Sequence, residues 1–305
     1  MAKLKIQNSV WNVLFEGLKL YFKNIGTFTK YMLFPVFGQI IGVVMIFGLT
    51  FWFTLNLPLI AAKYAIFNNV TTIMISILLI TLPGFVVFLK AFWDFLVAYG
   101  ALNSMTQAVV STGKLYDLKA HTEVITKRTF SFVGLLLVIS VLSLIAFNPL
   151  FWVLGLIFFV YFILVFQVFT FEEDKSIIEC FKRSLNLIKG NFGRTFFIMI
   201  VLGVIAYYIL TYCVNALFEV TRLSEIMKGC LETWAQSLHL DNINTSASAF
   251  KLPQITALDV ANQILSSSIW FIVAGLTLPM RSVCWTLWYK NLSEMKTPKL
   301  SKKGK

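Results

Sequence analysis

Hydrophobic and polar positions follow one another along this chain in long blocks rather than residue by residue. Six blocks are almost entirely apolar. Each can cross a hydrocarbon core of roughly 30 Å, which takes about 20 helical residues. Transmembrane strands would instead show about ten residues of strict alternation. The pattern therefore predicts six transmembrane helices, at about residues 31–55, 70–98, 130–147, 149–171, 194–217 and 260–289.

Shorter amphipathic segments precede some of these blocks, most clearly at residues 176–190. Ser176 and Glu179 have the spacing of a capping box, which predicts that a helix begins there. Gly190 predicts its end. The apolar residues at the helical spacing of one face are Ile177, Phe181, Leu185 and Ile188. A comparable face before the first block carries Trp11, Leu14, Leu18 and Tyr21.

Weak internal similarities suggest that one plan is used three times. A basic segment at 118–128 precedes the third block, and Thr-Leu-Pro at 81–83 recurs at 277–279. We therefore predict an all-α, polytopic membrane protein of three helical hairpins, each preceded by an amphipathic cytoplasmic interface helix; chance is the alternative for such short matches. The predicted parts are a transmembrane domain at 1–292, an extracytoplasmic segment at 218–257 and a basic cytoplasmic tail at 293–305.

Composition and charge support a membrane protein and predict its orientation. Hydrophobic residues make up 58% of the chain, against roughly 45–50% in soluble domains. Of the 26 Lys and Arg residues, 20 fall on the predicted side of the N-terminus and 4 on the other. Cytoplasmic loops are enriched in Lys and Arg, so we expect both termini to be cytoplasmic, in a cell (inner) membrane. The net charge is +12, and the Lys and Arg residues lie beside the apolar blocks, which favours anionic lipid over nucleic acid as the binding partner.

The basic helix at 176–190 is a candidate contact surface for anionic headgroups. The expected contacts are Lys182, Arg183, Lys189, Lys19 and Lys23. The alternative is structural, with these helices bracing the ends of the transmembrane helices. The carboxylates at 172–174 directly precede the basic helix and are expected to pair with it. In the segment 218–257, an amphipathic helix beginning at Leu223 is expected to lie on the outer leaflet or cap the bundle, with a binding lid as the alternative.

A second candidate site lies within the apolar blocks. Lys90 and Asp94 are four residues apart in the second block, and Arg281 lies in the sixth. Ionisable residues inside the membrane suggest substrate or proton pathways, although the alternative is an anchor at the interface. Pro83 and Pro279 are expected to break their helices within the membrane, as happens in some transporters; ordinary proline kinks are the simpler alternative.

Three stretches of the sequence resemble a known family of membrane proteins. The stretch FEEDKSIIECFKRSLNLIKGNFGRTFFIMIVLG and the ends VLFEGLKLYFKNIGTFTKYMLFPVFG and LPMRSVCWTLWYKNL resemble bacterial proteins with the glycerophosphoryl diester phosphodiesterase membrane domain and related uncharacterised inner-membrane proteins. The resemblance implies a fold and a membrane location but no activity. Some members carry a catalytic phosphodiesterase domain. Only about 15 residues follow the sixth block, so we expect that domain to be absent.

The expected function is therefore a non-enzymatic one. We expect a scaffold, regulator or lipid-contacting helper, with a membrane-protein partner or a second copy as further candidate partners. The alternatives are a transporter or permease for a small or lipidic substrate, using the proline-containing second and sixth blocks, and an intramembrane enzyme. No cofactor and no metal is expected, since His121 and His239 are isolated and no nucleotide-binding or nucleophile motif is present.

Overall fold

Helices account for the architecture, as the long apolar blocks require in an environment without water. The computed structural model describes residues 9–113, 117–146, 148–237, 240–241, 244, 248 and 253–296. No strand occurs among these residues. The α-helices are α1 Val10–Lys23, α2 Ile25–Lys63, α3 Val70–Thr112, α4 Leu118–Thr126, α5 Thr129–Ala146, α6 Trp152–Phe162, α7 Val165–Phe171, α8 Ile177–Ile188, α9 Phe192–Val204, α10 Leu210–Val220, α11 Leu223–Gln236 and α12 Ala257–Lys296.

Six helical segments among the described residues are long and apolar enough to cross a membrane. They correspond to the six predicted blocks, which confirms the all-helical class and the number of candidate spans. Their length, composition and exposed apolar side chains are consistent with a multi-pass integral membrane protein. In α3, for example, only 11% of the most apolar window is buried inside the protein. The hairpin repeat and the interface position of α1, α4 and α8 stay predictions.

The prediction that prolines break the helices is wrong. Helix α3 continues through Pro83, and α12 continues through Pro279. Proline is tolerated in transmembrane helices because nearby polar groups can satisfy the backbone around it. The transporter alternative therefore loses the structural feature that suggested it.

The irregular positions lie elsewhere in the chain. The fourth span is divided into α6 and α7 by a turn at Ile163–Leu164. The fifth span contains a π-helical turn at Ile205–Ile209, between α9 and α10. The fifth span contains no proline, and no local sequence signal predicted either irregularity. A turn between the third and fourth spans is closed by the Phe151 amide, which donates to the Asn148 carbonyl at 2.9 Å.

The helices fall into two compact units. The first unit comprises Met1–Met32, Phe95–Ile205 and Leu276–Lys305; the second comprises Leu33–Asp94 and Ala206–Gly275. Helices α2, α3 and α12 each contribute residues to both. In the first unit, buried aromatic and aliphatic side chains of α1, α5, α7 and α8 form the core, among them Tyr21, Phe132, Phe169 and Leu187.

Close backbone approach defines the packing of the second unit. A Cβ at Gly42 of α2 would lie 2.7 Å from the backbone of Phe88 in α3, and one at Gly38 would lie 2.7 Å from the Ala91 Cβ. Gly38 and Gly42 are four residues apart, the spacing at which small residues let two transmembrane helices meet. Helix α11 belongs to the same unit, where Trp234 meets the Phe51 ring edge-on at 5.8 Å.

Candidate functional site

Glu172 lies at the centre of a group of charged and polar side chains in the first unit, which we call the charged cluster (Glu172, Lys175, Arg183 and Tyr289). Arg183 Nε donates to Glu172 Oε1 at 3.0 Å, and the Tyr289 hydroxyl donates to the same oxygen at 2.8 Å. Lys175 Nζ lies 3.5 Å from Glu172 Oε2. The pairing expected between the carboxylates at 172–174 and the basic helix is thereby confirmed for Glu172.

Two further cations of the first unit bind backbone carbonyls. The Arg128 guanidinium donates to the carbonyls of Phe169 and Lys175 at 2.9 and 3.0 Å, and lies 4.2 Å from the centre of the Phe169 ring. Lys296 Nζ donates to the carbonyls of Asn186 and Lys189 at the end of α8. The carbonyls of Phe169, Asn186 and Lys189 would otherwise lack donors at helix ends. Arg128 therefore fastens the segment between α7 and α8, and Lys296 fastens the C-terminal end of α8.

A second group, which we call the polar cluster (Asn103, Gln167, Thr170, Ser282 and Thr286), is buried between α3, α7 and α12. Asn103 Oδ1 accepts from Ser282 Oγ at 2.6 Å, Gln167 Nε2 at 3.2 Å and Thr286 Oγ1 at 3.3 Å. Asn103 Nδ2 donates to Thr170 Oγ1 at 3.3 Å. Gln39, a buried amide of α2, bonds within its own helix instead, where its Nε2 donates to the Pro35 carbonyl at 2.6 Å.

The capping box of α8 is present as the sequence predicted. Ser176 Oγ accepts from the Glu179 amide, and the Glu179 carboxylate accepts from the Ser176 amide at 2.8 Å. These hydrogen bonds lower the pKa of Glu179. Gly190 ends the helix with a φ of +85°. The buried face is rotated from the expected one: Cys180, Ser184, Leu187 and Ile188 are buried, whereas Leu185 is exposed.

The predicted lipid-contact residues fall into two groups. Lys19, Lys23, Lys182 and Lys189 are exposed on α1 and at α8, where headgroups could reach them. Arg183 had been expected on the same outer face, but its side chain is only 34% exposed and pairs with Glu172. Its position is explained by the carboxylate that directly precedes α8.

The predicted intramembrane site is divided between the two units. Lys90 and Asp94 form an ion pair at 2.5 Å in the second unit, with 59% and 26% of their side chains exposed. Lys90 Nζ also lies 5.8 Å from the centre of the Phe34 ring. Arg281 belongs to the first unit, where its Nε is buried without a hydrogen-bond partner among the described residues. A functional role for these three residues stays a prediction.

Metal-binding and thiol chemistry find little support in the part of the chain that the structure describes. No group of three or more His, Cys, Asp or Glu residues that could hold a metal ion occurs there. Cys180 is fully buried in the first unit, and burial raises the pKa of its thiol. A buried, protonated thiol is a poor nucleophile.

Comparison with known proteins adds no relative. No protein-family model, curated protein or solved structure matches this chain. The resemblance to the phosphodiesterase membrane domain therefore stays a prediction based on the motifs quoted above.

Within the polar cluster, the amides Asn103 and Gln167 stand out in the sequence as polar residues inside apolar blocks, whereas Thr170, Ser282 and Thr286 do not. Ser282 and Asn103 are 179 residues apart. Small hydroxyl residues are common in transmembrane helices, so Ser282 and Thr286 carry no distinguishing local signal. Tyr289 lies within the stretch LPMRSVCWTLWYKNL, where nothing marks it as a partner of Glu172, and its bond to Glu172 spans 117 residues.

Proposed function

We propose that this protein is a non-enzymatic integral membrane protein that binds anionic lipid headgroups through α1 and α8 and serves as a scaffold or regulator at the membrane. The observation that carries the proposal is that both helices expose large apolar side chains and lysines on the same stripe. Such a stripe suits the boundary between headgroups and acyl chains, where an apolar body and a cationic tip are both accommodated.

Helix α1 carries the first stripe. Trp11, Phe15 and Phe22 are 64%, 68% and 58% exposed, and the exposed Lys19 lies among them at the spacing of one helical face. The opposite face of the helix is buried through Val13, Leu14, Gly17 and Tyr21. In water, leaving three aromatic side chains exposed would forgo roughly 1.5–3 kcal/mol each. A lipid interface removes that cost.

Helix α8 carries the second stripe. Ile178 is 68% exposed and Leu185 is 38% exposed, and the exposed Lys182 lies between them. Lys189 continues the same face one turn beyond Leu185. The helix is held in place from behind, since Ser184 Oγ donates to the Tyr161 carbonyl at 2.7 Å. The stripe is therefore presented by a fixed element.

The positive charge of the stripes supports binding to an anionic membrane surface. The lysines of the stripes are exposed, and each Lys near an anionic leaflet contributes about 1 kcal/mol to binding. The excess of Lys and Arg on the same side of the predicted topology favours the cytoplasmic leaflet. In this proposal both termini are cytoplasmic and the chain lies in the cell membrane.

The test is native mass spectrometry of the full chain extracted together with its lipids. Two double variants remove the stripe charges, Lys19→Gln with Lys23→Gln and Lys182→Gln with Lys189→Gln. The matched control, Lys63→Gln with Lys228→Gln, removes the same charge on the opposite side of the predicted topology. Losing two lysines at about 1 kcal/mol each predicts at least a tenfold loss of phosphatidylglycerol affinity.

The outcomes separate clearly. Retained anionic lipid that is lost in the stripe variants and kept in the control supports the proposal. Equal retention in all three variants, or retention of zwitterionic lipid alone, contradicts it. A co-purified protein that is lost with the stripe lysines would replace the lipid by a protein partner and would also contradict it.

A further inference from the structure

The polar cluster contains one acceptor that nothing in the described residues satisfies. Gln167 is only 4% exposed, and its Nε2 donates to Asn103 Oδ1 at 3.2 Å. Its Oε1 has no hydrogen-bond donor among the described residues. A buried polar atom without a partner is destabilising, and the great majority of buried polar atoms in folded proteins are paired with protein or ordered water.

The opposite imbalance occurs at the neighbouring amide. Asn103 Oδ1 accepts from Gln167 Nε2, Ser282 Oγ and Thr286 Oγ1, whereas an amide oxygen has two lone pairs. Ser282 makes the short bond of 2.6 Å, and Thr286 makes the longest at 3.3 Å. The cluster thus has one donor too many at Asn103 and one too few at Gln167. A single group that both accepts and donates would correct both.

We propose that Gln167 and Thr286 form a binding site for one neutral hydroxyl group, which donates to Gln167 Oε1 and accepts from Thr286 Oγ1. Water and the hydroxyl of a small polyol share this chemistry. Such a site lies beyond the lipid contact proposed above and does not depend on it.

Charge excludes the other ligand classes. A cation would need a carboxylate to offset its charge in a buried site, and the neighbouring Glu172 is already occupied by Arg183, Lys175 and Tyr289. An anion would bring a buried charge that no cation of the polar cluster offsets, and it would repel the unsatisfied acceptor Gln167 Oε1. The cluster is also buried throughout, from 0% exposure at Asn103 and Thr286 to 5% at Ser282. The site therefore fits a small neutral group.

The first test is an experimental structure of the full chain in lipid nanodiscs at a resolution that reveals ordered water. We expect density within hydrogen-bonding distance of Gln167 Oε1 and Thr286 Oγ1. Density of one atom identifies water, and larger density that requires added glycerol identifies a polyol. A well-resolved cluster with no such density overturns the proposal.

The second test is the thermal stability of Gln167→Met, with Gln107→Met as the matched control. Gln107 lies on α3 one turn beyond Asn103 and is exposed, so its substitution should leave the melting temperature nearly unchanged. We expect Gln167→Met to lower the melting temperature by about 2–4 °C. If the ligand is a polyol, glycerol should stabilise wild type more than the control solute sucrose does, and Gln167→Met should abolish that difference. A Gln167→Met protein at least as stable as wild type shows that the oxygen was simply unpaired and overturns the proposal. A variant that does not fold leaves the structural test to decide.

Discussion

Tyr289 donates its phenolic hydrogen to Glu172 Oε1 at 2.8 Å, across 117 residues of chain. The same oxygen accepts from Arg183 Nε at 3.0 Å. One carboxylate therefore connects α12 to α8 within the first unit. Because α8 carries one of the two proposed lipid-contacting stripes, Glu172 helps to hold that stripe in position.

Replacing Glu172 by Gln should destabilise the first unit. The substitution removes the charge that Arg183 and Lys175 face while keeping the shape of the side chain. The Glu172 side chain is only 18% exposed, and hydrogen bonds to charged groups contribute about 1.5–3 kcal/mol. We expect the free energy of unfolding in mixed micelles to fall by about 2 kcal/mol.

Glu173→Gln is the control for that change. Glu173 is the next residue, it is exposed, and it forms no ion pair with any residue that the structure describes. An equal loss in both variants would assign the effect to total charge instead of to the contacts of Glu172.

A methyl group added at Gly42 should separate α2 from α3. A Cβ there would lie 2.7 Å from the Phe88 backbone, which cannot move as a side chain end could. Overpacking of this kind typically costs 1–3 kcal/mol. We expect Gly42→Ala to lower the melting temperature. Gly48→Ala on the same helix meets no atom within 4 Å and should leave it unchanged or raise it slightly. Equal effects of the two substitutions would contradict the proposed close approach.

Alkaline pH should destabilise the protein through Tyr21. Burial raises the pKa of its phenol from 10.0 to about 12, and its hydroxyl donates to the Leu276 carbonyl at 3.0 Å. The folded state therefore holds this proton more tightly than the unfolded state does. The associated stability is fully present below pH 10 and is lost as the pH rises through about 12.

The variant Tyr21→Phe isolates this effect. It loses the hydrogen bond at every pH, so it should be less stable than wild type at pH 8. Between pH 10 and 12, its unfolding free energy should fall by about 2 kcal/mol less than that of wild type. Parallel pH profiles for the two proteins would show that Tyr21 titrates normally.

The native cysteines offer a test of orientation. Cys230 is exposed on α11, in the predicted extracytoplasmic segment, whereas Cys180 and Cys284 are buried. Cys213 is also exposed, so both proteins carry Cys213→Ser. A membrane-impermeant maleimide, added to cells whose outer membrane alone has been made permeable, should then label the protein that retains Cys230 and not the one with Cys230→Ser. Labelling of Cys230 only after lysis would place this segment in the cytoplasm and reverse the predicted topology.

The sequence predicted local features better than distant contacts. The capping box at Ser176 and the end of α8 at Gly190 depend on residues within one turn, and both are present. The six apolar blocks are likewise visible in the distribution of hydrophobic residues along the chain. The rotation of the α8 face was missed because Ser184 and Cys180 do not look like core residues. Ser184 is buried because the Tyr161 carbonyl accepts its hydrogen bond.

Contacts between distant helices had no signal in a single sequence. The bond between Asn103 and Ser282 depends on how α3 and α12 pack, which hydrophobic periodicity does not determine. The π-helical turn at Ile205–Ile209 interrupts a span without proline, so its cause lies in packing and not in a local breaker. The sequence therefore indicated which residue types could meet, and the packing decided which of them did.

The most direct test of the account measures where the exposed stripes lie. The native cysteines are first replaced, and a spin label is then attached to the single cysteine introduced by Phe15→Cys or by Ile178→Cys. Each labelled protein is placed in vesicles containing phosphatidylglycerol. We expect both labels to be accessible to oxygen and shielded from a water-soluble nickel chelate, as at the boundary of headgroups and acyl chains. Full access to the nickel chelate at both positions would place the stripes in water and contradict the central claim.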